Sequence, residues 1–356
     1  MMSQRARDYL ENTVLAALKR EYPKLMPDLM LMSGGSTGLG CDDEFSDFEA
    51  FLYLKEDLWQ DYGWKIQIVM NRCLRANNPW KGQGSAICVE GFGGLWAGHA
   101  HAFIAGNAPP PWEEVAHHDL FNMQEQTAIH DPQGLLAKLK QATAPQKVPQ
   151  PLWRKWLVKA LYNLYANLYE LALDVKRSRL PEAHVAAGLV IEDLFRIGFL
   201  INRKYSPWRA HLRWGFEKLG GIASEMLPDL DAAVSTSDWK DKLARINAVK
   251  GRYLAYIQGE HLLPTLNLVN PETSFSPEIG WTLGDELLWG AERIECWINE
   301  NWRDWINRCT ERARQDGRSP ADYWVYSFSG KIGSYRKWKE LGYPPLDEGV
   351  LRSIAE

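Results

Sequence analysis

The sequence predicts an α+β protein, with a small mixed sheet and helices in its first part and a helical bundle in its second. Three observations predict it. Short apolar runs punctuated by glycine, the strand signature, recur before residue 145. Ala144-Pro145-Gln146-Lys147-Val148-Pro149-Gln150-Pro151 then places three prolines in eight residues, as a linker does. Beyond it, Trp153, Trp156, Leu157, Ala160, Leu161, Leu164, Leu168, Leu171 and Val175 recur at helical spacing. The chain therefore divides into 1–145, 152–315 and a C-terminal extension, 316–356, of unassigned role.

The elements follow in order. Tyr9–Leu25 carries Leu10, Val14, Ala17, Leu18 and Leu25 on one helical stripe. Leu29-Met30-Leu31-Met32 is a buried strand that runs into the turn Ser33-Gly34-Gly35-Ser36. A polar loop with Asp42, Asp43 and Glu44 leads to a second strand, Ser46–Leu54. Residues 58–76 form a helix. Ala86–Glu90 and Gly98–Ala105 form two strands joined through Gly91-Phe92-Gly93-Gly94. Thr127–His130 is a short strand and Gly134–Ala142 a helix. In the second part, Pro181 suits the first turn of a helix over Glu182–Tyr205. Asp238–Gly259 and Asp285–Gln315 follow as further helices.

Composition narrows the function classes. The chain has 356 residues, 46% hydrophobic and 24% charged, as a globular protein does. No apolar run reaches the roughly 18 residues of a membrane span, and the N-terminus lacks the apolar core of a signal peptide. The five cysteines are widely spaced, which fits a reduced, cytoplasmic protein. Residues 1–145 carry 12 Lys+Arg against 18 Asp+Glu, and the remainder 29 against 27. Neither part has the basic excess that binding nucleic acid demands. The 17 tryptophans could fill the core or wall a site for rings and sugars; the helical spacing of Trp289, Trp297, Trp302 and Trp305 favours core for those four.

The chemistry lies between Leu29 and Leu54. On a strand, side chains two apart share a face, so Asp47 and Glu49 project two carboxylates together. Such a pair repels itself until a cation joins it, and Mg²⁺ is the usual partner beside phosphates. The Gly34-Gly35-Ser36 turn lets backbone N–H groups and the Ser36 hydroxyl approach phosphate oxygens. A phosphate cradle beside a metal-binding acid pair is the apparatus of nucleotidyl transfer.

Gly35-Ser36 followed by Asp47-x-Glu49 resembles the signature of the DNA polymerase β-type nucleotidyltransferase superfamily. Within it the chain looks most like kanamycin nucleotidyltransferase and related antibiotic-modifying enzymes. Glu90–Phe103, Ala128-Ile129-His130-Asp131-Pro132-x-Gly134 and Ile191-Glu192-Asp193-Leu194-Phe195 resemble further stretches of those enzymes. The resemblance implies a nucleotidyltransferase catalytic domain at the N-terminus and a helical domain that closes its cleft. It implies transfer of an NMP, AMP first, from an NTP such as ATP to a small-molecule hydroxyl, with release of pyrophosphate. Mg²⁺ would sit on Asp47 and Glu49, and Gly35 and Ser36 would receive the triphosphate. Glu90 falls where those enzymes have another active-site carboxylate. Their next hairpin carboxylate is replaced here by a stretch with His99 and His101. The position of their general base holds Arg196, with Glu192 one turn earlier on the same helix face.

Lys204 and then Arg203 are the candidate triphosphate cations; the alternative is ordinary basic residues at a helix C-terminus. Glu192 reads equally as an acid paired with Arg196. Antibiotic modification and small-molecule biosynthesis both fit, no nucleic acid or membrane partner is expected, and the resemblance admits a homodimer. Nucleotidylation of a protein or RNA, or a degenerate nucleotide-binding or partner-binding module, are the alternatives.

Overall fold

The computed structural model describes residues 2–80, 84–91, 103–104, 112, 114–263 and 315, apart from the side chains of residues 77, 151, 155, 158, 162 and 258. The fold is α+β: one small mixed sheet, with the remaining described elements helical. The chain forms two compact units. The first is Met1–Val148 with Arg203–Gly215; the second is Pro149–Asn202 with the chain from Phe216 onward. The first unit thus includes a returning segment that a linear division near residue 145 does not contain.

In the first unit, helix α1 (Gln4–Tyr9), a π turn (Leu10–Leu15) and α2 (Ala16–Glu21) run without a break. The helix starts earlier than the apolar stripe suggests because Ser3 caps it, its hydroxyl accepting from the Ala6 N–H at 3.3 Å. It ends at Glu21, before Pro23 opens a 3₁₀ segment (Pro23–Asp28). Strand β1 (Leu29–Ser33) is buried throughout, as its unbroken apolar run requires. It leads through Gly34 into the short helix α3 (Gly35–Leu39). Strand β2 (Glu49–Leu54) follows, then α4 (Glu56–Asn77), with Glu56 and Asp57 in its first turn, where the helix dipole favours acids. Strand β3 (Ala86–Gly91), α5 (His117–Glu125), β4 (Ala128–His130) and α6 (Leu135–Ala142) complete the set.

The strand order is β3-β2-β1-β4. β1 is antiparallel to both β2 and β4, and β2 is parallel to β3. The register sorts the faces. Leu29, Leu31, Ala50, Leu52, Leu54 and Ile87 pack against Leu10, Val14 and Leu18 of the N-terminal helix and Ile66, Val69 and Met70 of α4. The opposite face carries Met30, Met32 and Tyr53, packed with Leu136. Asp47, Glu49 and Phe51 alternate onto this second face.

Of the second expected hairpin strand, Gly98–Ala105, only Phe103 and Ile104 are described, and they are helical rather than extended. The flanking Ala102 and Ala105 favour helix over strand. The expected helix Asp285–Gln315 lies outside the described residues, apart from a helical Gln315.

In the second unit, α7 (Gln150–Lys176) and α8 (Leu180–Ile201) form a helical hairpin. Its turn holds Ser178 at a φ of 56°. The Trp153 indole N–H donates to the Leu200 carbonyl at 2.9 Å. Pro181 occupies the first turn of α8 as predicted. The helix stops at Ile201, however, not Tyr205. The Asn202 side chain caps the Gly198 carbonyl at 2.8 Å, and Arg203 takes a left-handed φ of 53°. The short helix α9 (Leu212–Phe216) lies in the segment that returns to the first unit, and α10 (Gly221–Ser235) and α11 (Trp239–Gly259) continue the second.

Candidate functional site

The site grows out of the β1–α3 turn. The Gly34 N–H donates to the Glu49 carbonyl at 2.8 Å, which carries the β1–β2 ladder one step into the turn. The Thr37 hydroxyl donates to the Gly34 carbonyl at 3.0 Å and lies 3.0 Å from the Ser33 hydroxyl. At the far end of α3, Gly40 adopts a φ of 73° and the Cys41 N–H closes onto the Ser36 carbonyl at 3.0 Å. The turn is thus held by hydrogen bonds at both ends. Ser36 is half-buried, and its hydroxyl has no hydrogen-bond partner among the described residues.

Gly35 shows why the glycines matter. Its φ is 51°, and a Cβ there would lie 2.4 Å from Oε2 of Glu49. The Glu49 carboxylate therefore rests against the turn backbone. On the other side, a Cβ on Gly84, just before β3, would lie 3.1 Å from Oδ2 of Asp47. The Phe48 N–H donates to the Ser85 hydroxyl at 2.9 Å, which holds this edge together. The structure thus brings Gly35, Ser36, Asp47 and Glu49 to one place.

The electrostatics match that geometry. Burial first, and then the charge of Asp47, push the Glu49 carboxyl above the usual carboxylate range. Neither acid has an ion-pair partner among the described residues. A carboxylate pair without a basic neighbour suits a divalent cation held by oxygen ligands. Among the described residues no group of three or more His, Cys, Asp or Glu is placed to hold a metal. The neighbouring acid run has a structural use: Asp43 accepts from the Phe45 N–H at 3.0 Å and the Ser46 hydroxyl at 2.9 Å. The Ser46 hydroxyl is the main reason its carboxyl sits below the ordinary value.

The other candidates are dispersed. Glu90 lies on the same sheet face as Glu49, but it pairs with Tyr53, whereas Glu49 pairs with Ala86. Four residues of strand, about 13 Å, separate them. Burial raises the Glu90 carboxyl. Its neighbourhood is the Tyr53 phenol, which is raised by burial and then by Glu90, Cys88 and Asp119. Glu192 belongs to the second unit, where Arg196 donates to its Oε1 from Nε at 3.0 Å and from Nη2 at 2.8 Å. Beside it, Asp193 is buried and accepts from Asn167 Nδ2 at 2.7 Å; burial pushes its carboxyl up to about 7. The sequence signal for Asp193 was present: it lies three residues after Val190 and four before Ile197, on the apolar stripe of α8.

Arg203 and Lys204 lie in the segment that returns to the first unit. Burial lowers the Arg203 pKa, and Lys204 is exposed. His99 and His101 lie outside the described residues. Sequence reading missed the approach of His211 Nδ1 to Cys41 Sγ, 3.7 Å, which spans 170 positions. No local pattern signals such a contact.

Residues 112–214 match a family model described as a domain of unknown function, DUF4037. No curated protein matches the chain. Among solved structures, the chain is similar to the crystal structure of a nucleotidyltransferase-like protein from Exiguobacterium sibiricum 255-15. The identity is 10% and the TM-score 0.33, over 76% of this chain and 87% of that one. So faint a likeness adds nothing to the geometry, and the site rests on its own residues. No helix among the described residues is long and apolar enough to cross a membrane.

Proposed function

We propose that this protein is a nucleotidyltransferase that moves an NMP, AMP in the first instance, from an NTP to a hydroxyl of a small molecule. One observation carries the reading: the Glu49 carboxylate, paired with Asp47, lies against the backbone of the Gly35-Ser36 turn. Phosphate-accepting backbone and metal-accepting acids at one place are what an NTP complexed with a divalent cation needs. Asp47 and Glu49 would hold Mg²⁺, which when bound neutralises phosphate charge and aligns the attack. Gly35 and Ser36 would orient the triphosphate, with Lys204 and Arg203 as the candidate cations. The acceptor oxygen forms a bond to the α-phosphorus, the bond from that phosphorus to the α,β-bridging oxygen breaks, and pyrophosphate leaves with the electron pair. The acceptor's proton passes to a base, for which Glu90 and Glu192 are the candidates. An aminoglycoside-like cationic acceptor and a biosynthetic metabolite both suit the acidic first part of the chain.

A second reading has its own observation. Glu192 is already bound by Arg196 and Glu90 stands about 13 Å of strand from the acid pair, the arrangement of a module that binds nucleotide without transferring it. The test is a thermal-shift titration with ATP, GTP, CTP and UTP, with and without Mg²⁺, on wild type and Asp47→Asn. Binding to the folded state alone raises the midpoint by mass action. A Mg²⁺-dependent rise lost in Asp47→Asn supports the site, and pyrophosphate release over an acceptor panel then separates enzyme from binding module. No rise with any NTP would overturn both readings.

A further inference from the structure

The segment Arg203–Gly215 leaves the end of α8 and packs into the first unit as a strap. Side-chain contacts fasten it. The Tyr205 hydroxyl donates to the Thr143 carbonyl at 2.9 Å. The Tyr205 ring meets His117 edge-on, with centroids 5.9 Å apart, and the Trp208 ring meets His118 at 4.8 Å and 71°. His211 reaches Cys41, the residue whose N–H closes the phosphate turn onto Ser36. The His211 N–H also donates to the Trp208 carbonyl at 2.9 Å, so Trp208 stands one tight turn from the contact that joins the strap to the phosphate turn.

Within this strap Tyr205, Ser206 and Pro207 are buried, yet Trp208 leaves 57% of its surface exposed. A single exposed apolar side chain is ordinary. Trp208 differs in its support. Pro207 fixes the backbone before it, the 3₁₀ turn Arg209–His211 follows it, and His118 buttresses its ring. An indole held in this way offers a planar face at little cost in conformational entropy. The Trp208 carbonyl accepts from His211, the residue that meets Cys41, and Lys204 and Arg209 lie on the same strap.

We propose that Trp208 is the surface on which the base of the nucleoside triphosphate stacks. The proposal deepens the nucleotidyltransferase reading and rests on it. The ligand class is a planar nucleobase joined to a triphosphate, and stacking discriminates weakly among bases because each has a π face. The Cys41–His211 contact joins the strap to the turn that would receive the phosphates.

The experiment uses the full chain and two probes with Mg²⁺, ATP and inorganic tripolyphosphate, the second lacking a base. Calorimetric titration of wild type, Trp208→Ala, Trp208→Phe and Asp47→Asn reads each affinity. Trp208→Ala weakens ATP binding about tenfold, the scale of aromatic–base stacking, and leaves tripolyphosphate affinity unchanged. Trp208→Phe restores ATP binding to within about threefold of wild type. Asp47→Asn weakens both probes. Equal affinity of Trp208→Ala and wild type for ATP overturns the stacking surface while the phosphate site stands. Equal weakening of both probes by Trp208→Ala overturns it too, since that is a structural effect. If wild type binds neither probe, the nucleotide reading itself falls and the stacking surface falls with it.

Discussion

Replacing Gly35 with alanine separates the stability of this site from its use. Two costs are visible. The residue has a φ of 51°, and an L side chain in that region costs about 1–2 kcal/mol. The new Cβ also falls 2.4 Å from Oε2 of Glu49, an overlap that has to be relieved. The atom in the way is the far end of a flexible side chain, so the carboxylate swings and the backbone stays. That movement adds less than about 1 kcal/mol to the unfolding cost, because Glu49 is only half-buried. It does displace one of the two acids from the turn. Gly134→Ala is the internal control: its φ is 65°, with nothing within 4 Å of the added Cβ. Both variants should lower the melting midpoint by a similar amount, about 3–6 °C for a unit of this size. Gly35→Ala alone should weaken Mg²⁺-dependent ATP binding by at least tenfold, as expected when a charged contact is lost. Urea unfolding and calorimetric titration of the pair give both numbers. ATP affinities of the two variants within twofold of each other would refute the placement of Glu49 against the turn.

Other expectations follow from buried groups. Asp193 has a folded-state pKa near 7, above its unfolded value, so the native state binds the extra proton between about pH 4 and 7. Stability falls as pH rises through that window, and Asp193→Asn should remove this fall, gaining on the order of 3 kcal/mol at pH 8 in denaturant titrations. Lys250, buried over the Tyr165 ring, runs the other way: desolvation pushes it down to about 8. Here the unfolded chain binds the extra proton, so stability rises from about pH 8 to 10, and Lys250→Met should stabilise the protein by about 1–3 kcal/mol at pH 7. Loss of stability in that variant would show the ammonium to be held by more than the ring. Tyr205→Phe removes the bond to the buried Thr143 carbonyl and should cost about 1–2 kcal/mol, read as faster amide hydrogen exchange in the strap.

What could be read from the chain was local. β1, the glycine turn and β2 lie within 26 consecutive residues, and period-two alternation alone places Asp47 and Glu49 on one face. The sequence places Glu90 on a strand, and the structure adds that it pairs with Tyr53. Alternation fixes the face, whereas the offset between β2 and β3 is set by long-range pairing, which leaves no local mark. The end of α8 was misjudged by four residues because Arg203 and Lys204 suit a helix terminus as well as they suit a turn. The strap was invisible because its contacts span from 62 positions, Tyr205 to Thr143, to 170, His211 to Cys41. Asp193 was legible: an acid on the apolar stripe of Val190 and Ile197 is visible in sequence.

The strap has a consequence for how the molecule is made. The first unit is complete only when Arg203–Gly215 has been synthesised, and Pro149–Asn202 must come first. At 5–20 residues per second, that delay is about 3–13 s after residue 148 emerges. Until then the Thr143 carbonyl lacks the Tyr205 hydroxyl, and the face of His117 that Tyr205 covers is bare. A nascent first unit therefore waits on a helical hairpin for its last piece. A polypeptide cut at residue 148 would reproduce that waiting state permanently, with the Gly35-Ser36 turn present and the Cys41–His211 contact missing.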